Sequence, residues 1–332
     1  MVYWGEVDLS RPIFKPYTFT DYASQAYSGI AAAAILFFHN STVPHWPWLV
    51  AAHGVGILTV HWMVVSYSRA TLGRLFRFLR HFYPVLLYIW FYSETGSLNR
   101  MFFKTYQDPV VIRWDQALFG FQPSIVWMQK VPYLPLSEIF YAAYFSYYLM
   151  IFGVGLALFL RNRRQFLHYI AVVSFVFYIC YVIYIAVPVI GPLTFLHLVP
   201  GYSLPADLQA LAPATGYPDA VRRGVFFRIM DCIYRVFESP GAAIPSSHVA
   251  IALCIVFFCF RYLRPLRYVL LLDAVLLCFS TVYCRYHYAT DVLAGLATAA
   301  VLFPLGNWLY FKFETQQEPA QITTAIPALE EG

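Results

Sequence analysis

Apolar runs of bilayer-spanning length recur along the 332 residues. By the ~20-residue criterion they read as about eight transmembrane helices, over 22–39, 46–67, 80–96, 137–160, 166–187, 245–262, 265–284 and 289–311. The third is the shortest case, because Glu94 and Gly96 interrupt it. The expected fold class is therefore all-α integral membrane, as one membrane domain. Only 12% of the residues are charged, against about 25% in a soluble domain, which excludes a water-soluble enzyme. The net charge of +5 is spread over many loops. It fits the basic bias of cytosolic loops and gives no reason to invoke nucleic acid as a partner. The many Tyr and Phe residues read as interfacial belts and helix packing.

The N-terminus lacks a basic leader, a short apolar core and a small-residue cleavage site, so the first run is expected to stay as a span. The six cysteines show no CxxC or zinc spacing. Cys180, Cys254, Cys259 and Cys278 fall inside apolar runs and read as packing residues. Cys232 and Cys284 fall in segments on one side and are a weak candidate for a disulfide.

Arginines set the orientation. Arg69, Arg74, Arg77 and Arg80 follow the second run, Arg161, Arg163 and Arg164 the fourth, and Arg261, Arg264 and Arg267 the sixth. If the helices alternate, all three groups share one side, and the positive-inside rule makes it cytosolic together with both termini. The opposite side carries 97–136, 188–244 and the turn around Arg285 to Tyr288. In the first outer segment Asp108 can cap a helix with Pro109 in its first turn, and Val110, Trp114 and Leu118 share a face. In the second, Asp219 can cap a helix ending before Pro240, with Val225, Ile229, Ile233 and Phe237 apolar and Arg228, Asp231 and Arg235 polar. Such helices ordinarily lie in the headgroup layer. Substrate gathering by Arg222, Arg223 or Arg228 is the lesser reading. The polar tail from Thr315, with Pro319 and Pro327, reads as disordered.

Three ionisable residues meet on the non-cytosolic side. His248 opens the sixth run after Pro245-Ser246-Ser247, and His287 and Asp291 sit where the seventh and eighth runs join. Ionisable groups at such depths are costly unless they have a function. His287 and Asp291 are four apart and share a helix face if both lie on the first turn of the eighth helix. A carboxylate beside an imidazole fixes its tautomer and leaves the other nitrogen as a nucleophile or base. A second histidine can protonate a leaving oxygen. Ser246 is a good helix cap, and the N–H groups of Ser247 and His248 would then form an anion site suited to phosphate. The set suits phosphoryl transfer through a phosphohistidine.

Blander readings apply elsewhere. His53, His61, His81 and His168 read as hydrogen-bonded packing residues. Two histidines and a carboxylate also make the facial triad of non-haem iron, but that site needs no proline-serine cradle, and no further acidic residues support it. A transporter would place charges in mid-membrane, where Asp273 is the only obvious one, and no internal repeat is visible.

Pro245-Ser-Ser-His248 resembles the Pro-Ser-Gly-His motif of the type 2 phosphatidic acid phosphatase superfamily. His287 through Asp291 resembles that superfamily's last motif, a His followed by three residues and an Asp. The wording His287-Tyr-Ala-Thr-Asp-Val is closest to the inositol phosphorylceramide synthases and their bacterial relatives, and is similar to that of sphingomyelin synthases. The resemblance covers roughly 80–311, with specific motifs over about twenty residues. It implies that His287 is the nucleophile, His248 the acid and Asp291 the orienting group. It implies a six-helix catalytic core over 80–314, preceded by two helices and a basic loop over 1–79 and followed by the tail over 315–332.

The chain departs from the phosphatase pattern in its cations. The first motif, with a Lys and an Arg-Pro pair, is absent. Thr281 stands where the last motif has Arg, and Leu193 where the branch has another. Arg285 is expected to help Ser246 and Ser247 hold the phosphate in their place. Fewer cations favour a phosphodiester over a monoester. The resemblance thus implies transfer of a phosphate-linked headgroup between membrane lipids at the periplasmic or lumenal face, by a lipid phosphotransferase of the inositol or sphingolipid kind. The alternative is a lipid phosphate phosphatase, with water as acceptor. Neither needs a metal or other cofactor.

Overall fold

The computed structural model describes residues 17–67, 73–198, 216–237 and 240–316. Arg69, residues 1–16 and the tail after Gln316 lie outside the described residues. In a bilayer every backbone polar group must be bonded internally, and the chain meets this with helices. They are α1 (Phe19–Phe38), α2 (Trp46–Tyr67), α3 (Arg74–Leu98), α4 (Asp108–Phe119), α5 (Pro123–Lys130), α6 (Leu134–Arg161) and α7 (Arg163–Ala186). Then follow α8 (Pro192–Leu198), α9 (Asp219–Arg222), α10 (Val225–Phe237), α11 (Ser247–Tyr262), α12 (Arg267–Tyr283) and α13 (Ala289–Gln316). Among the described residues the only extended pairing is one parallel bridge between Val189 and Ala242.

Five helices are long and apolar enough to cross a membrane: α2, α6, α7, α12 with the short turn before it, and α13; α11 is apolar but shorter. The chain is thus a multi-pass membrane protein. α7 is hydrophobic on all sides, and such a helix belongs in the middle of a bundle. It packs against α1, α3, α6, α11 and α13. Its start is sharp because the Asn162 side chain accepts from the N–H groups of Arg164 and Gln165, at 3.0 and 3.2 Å.

The bundle has two chemically distinct ends. At one, Arg161 donates to the Tyr262 carbonyl at 3.1 Å, Arg261 lies over Phe311, and Phe19 meets Phe313. Arg80, expected in a basic loop, is instead buried within α3 and pairs with Asp21 of α1 at 2.6 Å. It adds no free positive charge to that end. Glu94 does not shorten α3, because His53 of α2 lies 3.0 Å from its carboxylate. The other three packing histidines also have partners: His61 with Tyr17, His81 with the Arg77 carbonyl, and His168 with Tyr262 and Asn307. Asp273 ties α12 to α6 through Ser146, at 2.6 Å.

The opposite end is capped by the short helices. The expected single helix after Asp219 is two, α9 and α10, because the chain breaks at Gly224. A Cβ on Gly224 would sit 2.2 Å from the Glu138 carboxylate. That carboxylate, from α6, accepts from the N–H groups of Val225, Phe226 and Phe227 and so caps α10 from outside. Cys232 and Cys284, the weak candidate pair, are both free, one exposed and the other buried.

Candidate active site

The turn that ends α12 and starts α13 is built by backbone bonds. The N–H groups of Tyr286 and His287 both donate to the Thr281 carbonyl at 3.0 Å. Arg285 takes a φ of 66°, which reverses the chain. Asp291 then lies in the first turn of α13, and its Oδ2 accepts from the Tyr288 N–H at 2.9 Å. α11 begins beside it, with the Ser246 N–H donating to the Asp291 carbonyl at 3.0 Å.

These constraints bring the three predicted residues into one line. His287 Nδ1 lies 3.4 Å from Asp291 Oδ2, and His287 Nε2 lies 3.3 Å from His248 Nδ1. His248 Nε2 lies 3.0 Å from the Tyr144 hydroxyl of α6. One set of proton positions satisfies all four groups. Tyr144 donates to His248 Nε2, His248 Nδ1–H donates to His287 Nε2, and His287 Nδ1–H donates to Asp291. In that state the lone pair of His287 Nε2 faces the gap toward His248. The two longer distances exceed the usual 2.7–3.2 Å, as catalytic contacts often do before substrate tightens them. His287 and Asp291 are buried.

The phosphate-binding expectations need correction. Ser246 does cap α11, its hydroxyl accepting from the Val249 N–H at 3.4 Å. The Ser247 N–H, expected to face substrate, donates to the Tyr184 hydroxyl at 3.1 Å, and that hydroxyl donates to the Pro245 carbonyl at 2.8 Å. Tyr184 thus takes one arm of the expected cradle and leaves the His248 N–H as the other. Arg285 is turned away. Its guanidinium donates to the Gly216 carbonyl at 3.2 Å and lies over the Tyr217 ring, and it does not line the space beside the histidines. That space is walled by Tyr92, Tyr144, Tyr234, Tyr286, Ile190 and the 242–243 backbone, around His248 and His287. Its volume is about 20 Å³, room for roughly one water.

Two further carboxylates reach the turn. Asp108 was expected to cap α4, but its oxygens accept instead from the N–H groups of Ile190 and Gly191 and from the Tyr288 hydroxyl, at 3.0, 2.9 and 3.0 Å. Burial pushes its pKa up to about 7, against the pull of those three donors. Asp115, which no sequence pattern singled out, accepts from the N–H groups of Ala289 and Thr290, at 3.0 and 2.8 Å, and from the Thr290 hydroxyl. Burial raises its pKa as well.

The family model of the PAP2 superfamily matches residues 110–305, more than half of the chain. The protein belongs to that superfamily, whose members are phosphatases or phosphotransferases acting on lipid substrates. No match was found among curated proteins or among solved structures. The matched span contains Ser246, Ser247, His248, Arg285, His287 and Asp291, and also Asp115.

Proposed function

We propose that the protein is a lipid phosphotransferase that moves a phosphodiester-linked headgroup to a lipid alcohol through a phosphohistidine on His287. The observation that carries this reading is that, among the described residues, no Lys or Arg lines the histidine space. Residues 199–215 and 238–239, which lie outside the described residues, contain no Lys or Arg in their sequence. A dianionic monoester buried without cations is strongly disfavoured, whereas a monoanionic diester can be held by tyrosine hydroxyls and one helix N–H.

In the reaction His287 Nε2 attacks phosphorus and the bond from phosphorus to the leaving lipid oxygen breaks. Protonated His248 gives its proton to that oxygen. The acceptor alcohol then attacks the phosphohistidine, its proton passes to His248, and the N–P bond breaks. Asp291 holds His287 Nδ1–H throughout and stabilises the charge that develops on the ring. Water in place of the alcohol gives the phosphatase.

The eight long helices are read as eight spans, with α3, α6, α7, α11, α12 and α13 as the catalytic core. Tyr92 of α3 in the wall of the histidine space supports including α3. The arginine-rich end is read as cytosolic, with both termini, and the histidine end as periplasmic or lumenal. A membrane-impermeant maleimide tests this on Cys232, which is free and exposed on α10. Sealed vesicles with the non-cytosolic face outward are expected to label, and Cys232→Ser is expected to remove the label. Labelling only after the vesicles are opened would reverse the orientation.

Lipid mass spectrometry tests the function. Purified wild-type and His287→Ala protein are each incubated with phosphatidylinositol, phosphatidic acid, ceramide and diacylglycerol. A new headgroup-bearing lipid made by the wild type alone is the expected result. Conversion of phosphatidic acid to diacylglycerol and inorganic phosphate, with no new phospholipid, would make the protein a phosphatase.

A further inference from the structure

The turn carrying His287 is fastened by a helix that contains none of the reacting groups. Asp108 and Asp115 are seven residues apart on α4, two turns along one face. Val111 and Ile112, between them, are 2% and 1% exposed, while Trp114 and Leu118 on the other face are 49% and 61% exposed. The helix thus turns its carboxylates inward and its large apolar residues outward. Asp115 receives the Ala289 and Thr290 N–H groups, which as first-turn donors of α13 lack partners within that helix. A carboxylate there also meets the positive end of the helix dipole. Asp108 receives the Tyr288 hydroxyl and ties the same turn to Ile190 and Gly191. Gly191 in turn lies against the Tyr286 carbonyl so closely that a Cβ would come within 2.6 Å of it.

Tyr288 to Thr290 are therefore anchored by Asp108, Asp115 and Asp291, whereas Tyr286 and His287 hang by their N–H groups on the Thr281 carbonyl of α12. Burying two carboxylates for this is expensive, and a neutral cap of the Ser or Asn kind would suffice to start a helix. Two carboxyl groups, each accepting from three donors, do what a single cap does not: they hold both ends of the Tyr288–Thr290 segment in one place.

We propose that Asp108 and Asp115 are positioning residues that preset His287 against Asp291 and His248 before substrate arrives. The proposal rests on His287 being the nucleophile, and the test separates the two. Full-length protein in lipid nanodiscs is mixed with a donor phospholipid carrying radiolabelled phosphate, and acid-labile phosphoenzyme is trapped on the millisecond scale. Steady-state kcat and KM are measured alongside. Asp115→Asn keeps the size but must turn an NH2 toward one of its donors. It is expected to slow phosphoenzyme formation and kcat on the order of 10- to 100-fold, the effect of a roughly 1 Å misplacement. KM is expected to stay within about twofold, since the residue does not touch substrate. Asp108→Asn is expected to act in the same direction.

If an Asp variant fails to fold, Tyr288→Phe and Thr290→Val each remove one anchor and leave the backbone bonds. Each is expected to slow phosphoenzyme formation several-fold at unchanged KM. Wild-type rates in the folded variants, or a change confined to KM, would overturn the positioning role. Absence of phosphoenzyme from the wild type, or its persistence in His287→Ala, would instead overturn the nucleophile assignment on which the role depends.

Discussion

Replacing His287 by alanine is expected to remove turnover, by a factor on the order of 10⁴–10⁶, while the protein still assembles in the membrane. The size of the effect follows from the chemistry. With no imidazole at 287 there is no atom to accept the phosphoryl group, and the remaining residues offer only general acid help and binding. Retention of the fold follows from the turn. Tyr286 and His287 are held by their backbone N–H groups on the Thr281 carbonyl, and Tyr288 to Thr290 by Asp108 and Asp115. None of those bonds uses the His287 ring. His248→Ala is expected to fall about 10²–10⁴-fold, the usual range for a general acid. Its loss should be milder with a donor whose leaving alcohol is acidic, since such a group departs without a proton. His287→Ala should show no such relief. Measuring both variants with two donors of different leaving-group acidity therefore separates nucleophile from acid. Relief in His287→Ala but not in His248→Ala would exchange the two roles, and full activity in either variant would remove that residue from the reaction.

The parts of this site that sequence made legible are those encoded locally. His287 and Asp291 meet because they are close in sequence, although His287 lies on the turn two residues before α13 and not on the first helical turn where it was expected, and apolar runs of spanning length locate the long helices. The parts that were missed depend on partners far away in the chain. Asp108 looks like a cap for its own helix, but its acceptors serve residues 82, 83 and 180 positions on. Asp115 sits in a short amphipathic stretch whose pattern gives no hint of the α13 N–H groups 174 and 175 positions later. The Ser247 N–H was read as open to substrate because nothing near it in sequence reveals the Tyr184 hydroxyl from α7. Arg285 was assigned to phosphate by proximity to His287, yet a residue two positions away on a reversing turn points elsewhere, here toward Gly216 and Tyr217. The split between α9 and α10 had a local sign, Gly224, but its reason is Glu138 on another helix. Local periodicity thus finds the elements and the reacting pair, whereas the buried acceptors that hold them are tertiary choices.

Gly295 carries the second large expectation, because it sets the distance between α11, which bears His248, and α13, which bears Asp291. It lies one turn after Asp291 on α13 and faces the start of α11. A Cβ there would sit 2.6 Å from the Ser246 carbonyl oxygen and 3.0 Å from the Val249 Cβ. The first of these is backbone, so a side chain cannot be accommodated by a rotamer change, and the helices must part. Asp291 and Ser246 are joined through the Ser246 N–H at 3.0 Å, so that parting is applied where His248 meets His287. Gly295→Ala is expected to lower kcat about 10-fold and Gly295→Val about 100-fold or more, as reacting groups drift on the ångström scale. Overpacking of this kind destabilises by about 1–3 kcal/mol, less than the roughly 5–15 kcal/mol that holds a typical folded domain. Thermal unfolding in detergent and phosphoenzyme formation rates would be measured on the same preparations. A graded loss of rate from Gly to Ala to Val, with a folded protein throughout, is the result that close approach of α11 and α13 requires. Wild-type rates in Gly295→Val would mean that His248 and His287 work without the spacing this glycine permits.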